Sequence, residues 1–204
     1  DVFFAVKVYK KGLGKAKRRE MERLVELGEA IERVGKLCSD LGRKNDAVDA
    51  YTRLVGIRCE AYGERHVEVA KAYKKLGHAY MSRGDKERDD QVRERDYRRA
   101  MEAYFECLNI ELWFKNDPGY PEKKDVAVSY FNLGHVMKDL KMYADALEMF
   151  ERAQGLDPGD DVDFSGEIAW EIRDVNFELS VECELEKEMY ERMWGTTEGY
   201  FRLS

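Results

Sequence analysis

A glycine that returns inside stretches of helical character restricts this chain more than any other feature. It occurs in "AIERVGKLCSDLG", "AYKKLGHAYMSRG" and "SYFNLGHVMKDLK". Each time an apolar residue precedes it and another follows three later: Val34, Gly35 and Cys38; Leu76, Gly77 and Tyr80; Leu133, Gly134 and Met137. An alanine then comes, with an aromatic four residues on: Ala47 and Tyr51, Ala100 and Tyr104, Ala146 and Phe150. A glycine in a helix interior costs about 1 kcal/mol relative to alanine. A chain accepts that cost three times when a second helix must come closer than a Cβ allows. Ala47, Ala100 and Ala146 are expected to do the same from the second helix. The aromatic one turn later is expected to fill the space between successive helix pairs. One pair cannot bury its faces alone, so stacking supplies the core and about three repeats are needed.

This arrangement, completed by Pro158 after the third unit, resembles the tetratricopeptide pattern L-G-x-x-Y…A-x-x-x-F…P. The resemblance implies an all-α fold, an α-α superhelix of about three helical hairpins with a long C-terminal capping helix. The expected boundaries are an irregular start over 1–15, repeats over 16–163, a capping helix over 164–194 and a tail over 195–204. Within the repeats the hairpins occupy about 28–62, 70–115 and 127–158. Gly35 and Gly77 are 42 residues apart, and Gly77 and Gly134 are 57 apart. Of the 15 extra residues, eleven fall in "KERDDQVRERD" (86–96) and four in the loop "KNDPGYPEKKD". The junction before the second unit, with Gly63, His66, Val69 and Ala70, resembles the linker of kinesin-light-chain repeats. Val126 and Ala127 repeat its end without the histidine. That resemblance implies a right-handed superhelix with a peptide-binding concave surface and no catalysis.

Composition narrows the alternatives. No window approaches eighteen uncharged apolar residues, so no membrane span is expected. The start "DVFFAVKVYKKGLG" has neither a basic lead-in nor a small-residue cleavage site, so it does not read as a secretion signal. Cys38, Cys59, Cys107 and Cys183 form no C-x-x-C pair. They read as reduced thiols serving as small hydrophobes in the cytoplasm or another reducing compartment. Net charge is −7 but is unevenly spread: residues 1–20 carry +5 and residues 145–204 carry −12. That asymmetry suits an oriented partner or head-to-tail association, and argues against a nucleic-acid-binding face. No phosphate loop, nucleophile elbow, H-E-x-x-H or catalytic carboxylate pair occurs. The expectation is therefore no enzyme and no cofactor.

The first helix of each repeat should line the groove. Positions one turn before each glycine, and the residue after it, give Lys36, Lys71, Lys74, Lys75, His78, Phe131, Asn132, His135 and Lys138. A basic groove with an aromatic shelf suits an acidic, partly apolar peptide. Kinesin light chains, by resemblance, take acidic cargo peptides in this way. His78 and His135 recur because the unit recurs. A metal pair would need both rings within about 4 Å of one ligand, whereas packed helices lie about 8–10 Å apart. His66 is expected to order its loop. Asp161, Asp163 and Ser165 match the start of a calcium loop, yet the twelfth place holds Ile172 in place of the bidentate Glu. The competing reading is an acidic turn with Ser165 as helix N-cap.

The charged segment 86–96 either lengthens the second helix of its repeat or forms a mobile loop. Apolar positions Ile168, Ile172, Val175 and Leu179, then Leu185, Met189 and Met193, suggest one long coiled-coil-like capping helix with an acidic outer face. Trp170 and Trp194 are candidate docking points, and Phe3, Phe4, Val6 and Val8 lack a partner. The leading function is a protein-interaction scaffold or adaptor for a protein or acidic peptide. The alternative is an architectural subunit of a large multiprotein assembly.

Overall fold

In a computed structural model, residues 15–114, 123–157, 159 and 161–194 are described. The N-terminal apolar cluster, Pro158 and the tail lie outside these residues. Seven helices follow in order: α1 (Lys15–Asp40), α2 (Lys44–Tyr62), α3 (Val67–Gly84), α4 (Asp90–Trp113), α5 (Lys123–Asp139), α6 (Tyr143–Leu156) and α7 (Val162–Trp194). No strand occurs among the described residues. Each helix packs on the one before and the one after. The pairs α1/α2, α3/α4 and α5/α6 are the hairpins, and α7 closes the stack on α6. The architecture is an all-α solenoid of three hairpins and a capping helix.

The turns follow from local chemistry. After α1, Gly42 takes a positive φ of 72° and the chain reverses into α2. Glycine enters that region without steric cost. The same position after α5 holds Lys141, with φ of 60°. His66 caps α3: its Nδ1 accepts from the Glu68 N–H at 3.1 Å, and its ring stacks on Tyr62 with centroids 4.5 Å apart. The linker histidine thus orders the loop by filling a vacant N-terminal donor.

The recurring glycines do their work against rings, which corrects the expected approach of one helix backbone to another. A Cβ on Gly35 would lie 2.7 Å from the Tyr51 ring. On Gly77 it would lie 2.7 Å from Tyr104, and on Gly134 2.7 Å from Phe150. The aromatic of the second helix therefore lies on the bare backbone of the first, inside its own hairpin. Ala47, Ala100 and Ala146 are buried beside it. Tyr51, Leu54 and Leu76 belong to one buried cluster and Tyr104, Leu133 and Phe150 to a second, with half-buried Tyr80 packed against both.

Each of the first two hairpins also holds an ion pair with one buried partner, Arg58 in the first and Glu111 in the second, at matching places. Glu32 stands three residues before Gly35 and Arg58 seven after Tyr51; they meet at 3.3 Å. Lys74 stands three before Gly77 and Glu111 seven after Tyr104; they meet at 3.0 Å. The sign is reversed from one hairpin to the next. In the third, the corresponding residues are Phe131 and Asp157.

The charged segment 86–96 divides at Asp89. Asp89 caps α4 by accepting from the N–H groups of Gln91 and Val92. α4 starts ten residues before Ala100, whereas α2 and α6 start three before Ala47 and Ala146. The seven added residues make about two turns, so Ala100 and Tyr104 keep their facing. Asp90, Gln91, Glu94 and Arg95 in those turns are exposed. The base is closed by Arg83, which donates to both oxygens of buried Asp96 at 2.7 Å.

The ring-on-glycine contact is directly testable. Gly77→Ala should lower stability by about 2 kcal/mol through overpacking, despite the better helix propensity of alanine. Gly56→Ala in α2, where an added Cβ meets nothing within 4 Å, should raise it by up to about 1 kcal/mol. Urea denaturation midpoints of both variants check the pair.

Candidate concave binding surface

The groove-side residues come from α1, α3, α5 and the first half of α7. α7 occupies the place of a fourth first helix: Ala169 follows Gly134 by 35 residues, and Ile168 and Val175 bury themselves in the core around Phe150. Trp170 then follows Ala169 as Lys36, His78 and His135 follow the glycines.

Two adjoining cavities open between α1 and α3. One, of about 350 Å³, is lined by Glu32, Glu68, Lys71, Lys74, Lys75 and His78 among others. The other, of about 510 Å³, is lined by Glu29, Glu32, Arg33, Lys36, Tyr51 and Lys75. They share Glu32 and Lys75. Of the nine groove residues expected from sequence, five therefore gather here. Phe131, Asn132, His135 and Lys138 lie further along, on α5.

The groove is charged but not broadly basic. Lys71 pairs with Glu68 at 2.9 Å and Lys75 with Glu32 at 3.2 Å. Lys74 is committed to buried Glu111 and also donates to the Asp125 carbonyl at 3.3 Å. Lys138 lies 2.5 Å from Glu171 and 3.1 Å from Asp174. These pairs differ in consequence. Lys71 and Lys75 are 55% and 41% exposed, so water screens their pairs and the cations remain open to a ligand. Lys74 and Lys138 are 18% and 19% exposed and act as structural bolts. Lys36 is exposed.

The histidines are structural neighbours of the groove. His78 Nδ1 lies 2.9 Å from the Tyr104 hydroxyl. Desolvation, with Lys74 and Lys75 close by, holds its pKa below the ordinary value. His135 packs edge-on against Phe131, and its Nε2 lies 3.6 Å from Glu171. Its pKa is also lowered, mainly by desolvation, with Glu171 opposing. No group of three metal-ligating side chains occurs among the described residues.

Asn132 Nδ2 is buried without a hydrogen-bond partner among the described residues. Beyond it the groove turns aromatic. Trp170 is 56% and Phe177 64% exposed, one above the other two turns apart, and Lys138 Nζ lies 5.3 Å from the Trp170 ring centre. Sequence reading named Trp170 as a docking point but missed Phe177 and the carboxylates that neutralise the lysines. The matching offsets of Arg58 and Glu111 from their tyrosines were the available signal. Trp194 carries no described side chain.

Two other expectations are corrected here. The calcium-loop residues form a helix start: Asp161 accepts from the Phe164 N–H at 3.1 Å and takes Lys124 at 3.2 Å. Its pKa is lowered, first by that N–H. Asp163 lies within α7, and the Ser165 hydroxyl sits between the Asp157 carboxylate and the Asp161 carbonyl. The cap of α7 is thus Asp161, where Ser165 was expected. Ile172, at the twelfth place, packs on the core. The inner apolar stripe of α7 ends at Leu179: Leu185 and Met189 are exposed because α6, with 14 residues, is too short to cover the 33 of α7.

Lys74→Met should cost about 3 kcal/mol, because Glu111 is left charged in a site that excludes water. Lys74→Met combined with Glu111→Leu should recover most of that loss, whereas Lys71→Ala should change stability by less than about 0.5 kcal/mol. Chemical denaturation of the three variants measures this.

The comparisons agree with this architecture. Residues 127–160 match the tetratricopeptide repeat. No curated protein matches the chain. Among solved structures, BtubC (BKLC) from P. vanneervenii superposes with a TM-score of 0.55 at 20% identity, over 89% of this chain and 78% of that one. One unit of the chain thus matches a tetratricopeptide repeat, and the described residues share an all-α helical-repeat fold with BtubC (BKLC).

Proposed function

We propose that the chain is a non-enzymatic scaffold that holds a segment of another protein along its concave surface. Tetratricopeptide repeats in general mediate protein–protein interaction. The observation that carries the finer reading is the polarity of the groove. Exposed Lys36 and Lys71 with half-buried Lys75 lie at one end, and exposed Trp170 and Phe177 at the other. Between them the buried amide donor of Asn132 lacks an acceptor. The preferred ligand is therefore a peptide or helix with carboxylates toward α1 and α3 and an aromatic or aliphatic anchor toward α7. A uniformly acidic peptide fits less well, because Lys74 and Lys138 already serve Glu111 and Glu171.

The alternative, an architectural subunit of a large assembly, draws on the parts that stand away from the core. These are the exposed first turns of α4 and the exposed Glu182–Met189 stretch of α7.

Selection from a random peptide library on the immobilised chain should enrich sequences with acidic and aromatic residues at opposite ends. Lys71→Glu with Lys75→Glu, and separately Phe177→Ser, should each weaken a selected peptide about tenfold or more in fluorescence anisotropy, equivalent to about 1.4 kcal/mol. Unbiased selection, or equal binding by all variants, would sink the groove reading.

A further inference from the structure

α1 presents a second apolar face that no described element covers. Leu27, Val34, Leu37 and Leu41 are 48%, 52%, 57% and 64% exposed. Counted from the hairpin glycine, the first three of these positions hold Val69, Leu76 and Ala79 in α3 and Val126, Leu133 and Val136 in α5. All six are buried. There they form part of the cores where α3 meets α2 and α5 meets α4. The stripe on α1 is thus a socket shaped for one more antiparallel helix.

The other end of the solenoid offers a helix without a socket. α7 outruns α6, and every residue from Glu182 to Met189 is exposed. Leu185 and Met189 stand one turn apart, with half-buried Val181 one turn before them. From Val181 to the end of α7 is fourteen residues, and from Leu27 to Leu41 fifteen. At about 1.5 Å per residue both runs extend about 20 Å. The two ends of the chain also carry opposite net charge, +5 over residues 1–20 and −12 over residues 145–204. Exposed Arg19 and Arg23 prolong the α1 stripe, with exposed Glu20, Glu22 and Glu26 beside it. Around Leu185 stand Glu182, Glu184, Glu186 and Glu188, against Lys187 alone. Within one copy the two runs lie at opposite ends of the stack.

We propose that the open face of α1 receives the projecting half of α7 from a second copy of this chain, head to tail. The helices run antiparallel, as consecutive helices do inside each copy. Val181, Leu185 and Met189 cover the Leu27–Leu41 stripe. The two surfaces differ, so the contact is heterologous and extends to chains or rings rather than stopping at a symmetric dimer. This surface is separate from the peptide groove.

Sedimentation velocity on the full chain tests the proposal over a range of concentrations. The weight-average size should rise with concentration. Leu37→Glu with Leu41→Glu blocks the socket, and Leu185→Glu with Met189→Glu blocks the inserted helix. All four residues are exposed, so circular dichroism should be unchanged. Each double variant alone should self-associate about tenfold more weakly or less. An equimolar mixture of the two should form a one-to-one dimer that grows no further, because one intact socket and one intact helix remain. A wild-type chain that stays monomeric overturns the proposal and leaves the face to the first fourteen residues or to another protein. Association lost in the socket variant but kept in the helix variant also overturns it, by showing a symmetric contact through α1.

Discussion

The fold depends on an aromatic ring lying where a glycine has no side chain. In all three hairpins the clearance is the same, with a notional Cβ 2.7 Å from the ring of Tyr51, Tyr104 or Phe150. The contact fixes how far apart the two helices of a hairpin sit and how one slides along the other. Packed interiors transmit such constraints because they contain few voids. The residue after each glycine is turned outward as a result, which puts Lys36, His78 and His135 on one surface. The hydroxyl of Tyr104 adds a second use by holding His78. Phe150 has no hydroxyl, and His135 faces Glu171 instead.

The buried ion pairs set limits on the groove that helix periodicity does not convey. A carboxylate brought out of water requires a cation close by, and the nearest cations are groove lysines. Glu111 thereby draws Lys74 inward, and Glu171 does the same to Lys138. What a ligand meets is the remainder: mixed charge on α1 and α3, then aromatic surface on α7. The alternation of sign, Glu32 with Arg58 and then Lys74 with Glu111, also makes the first two hairpins electrostatically unlike although they share one geometry.

Much of the fold is legible in the sequence because a repeated pattern identifies the same positions several times. Gly35, Gly77 and Gly134 mark the first helices, and the alanine–aromatic pairs mark the second. The groove was legible as a set of positions, but its charge was not. Lys74 and Lys71 look alike on a helix wheel, and only tertiary packing shows that Lys74 meets a carboxylate 37 residues away while Lys71 meets Glu68 beside it. Phe177 was obscured for a different reason. The register of α7 follows from its packing on α6, and without a glycine at Ala169 the sequence gives no marker for it. The reach of the inner stripe on α7 was overread because periodicity continues past the point where α6 stops.

The clamp between Arg83 and Asp96 separates what lies above it from what lies below. With its base pinned, the segment from Lys86 to Arg95 can change in length or composition without disturbing the helices that bear the core. Such a pinned excursion is where a solenoid tolerates grafted sequence. Additions of whole helical turns would preserve the phase of α4, so the site is a natural handle for fusing a tag or a second domain while the groove stays intact.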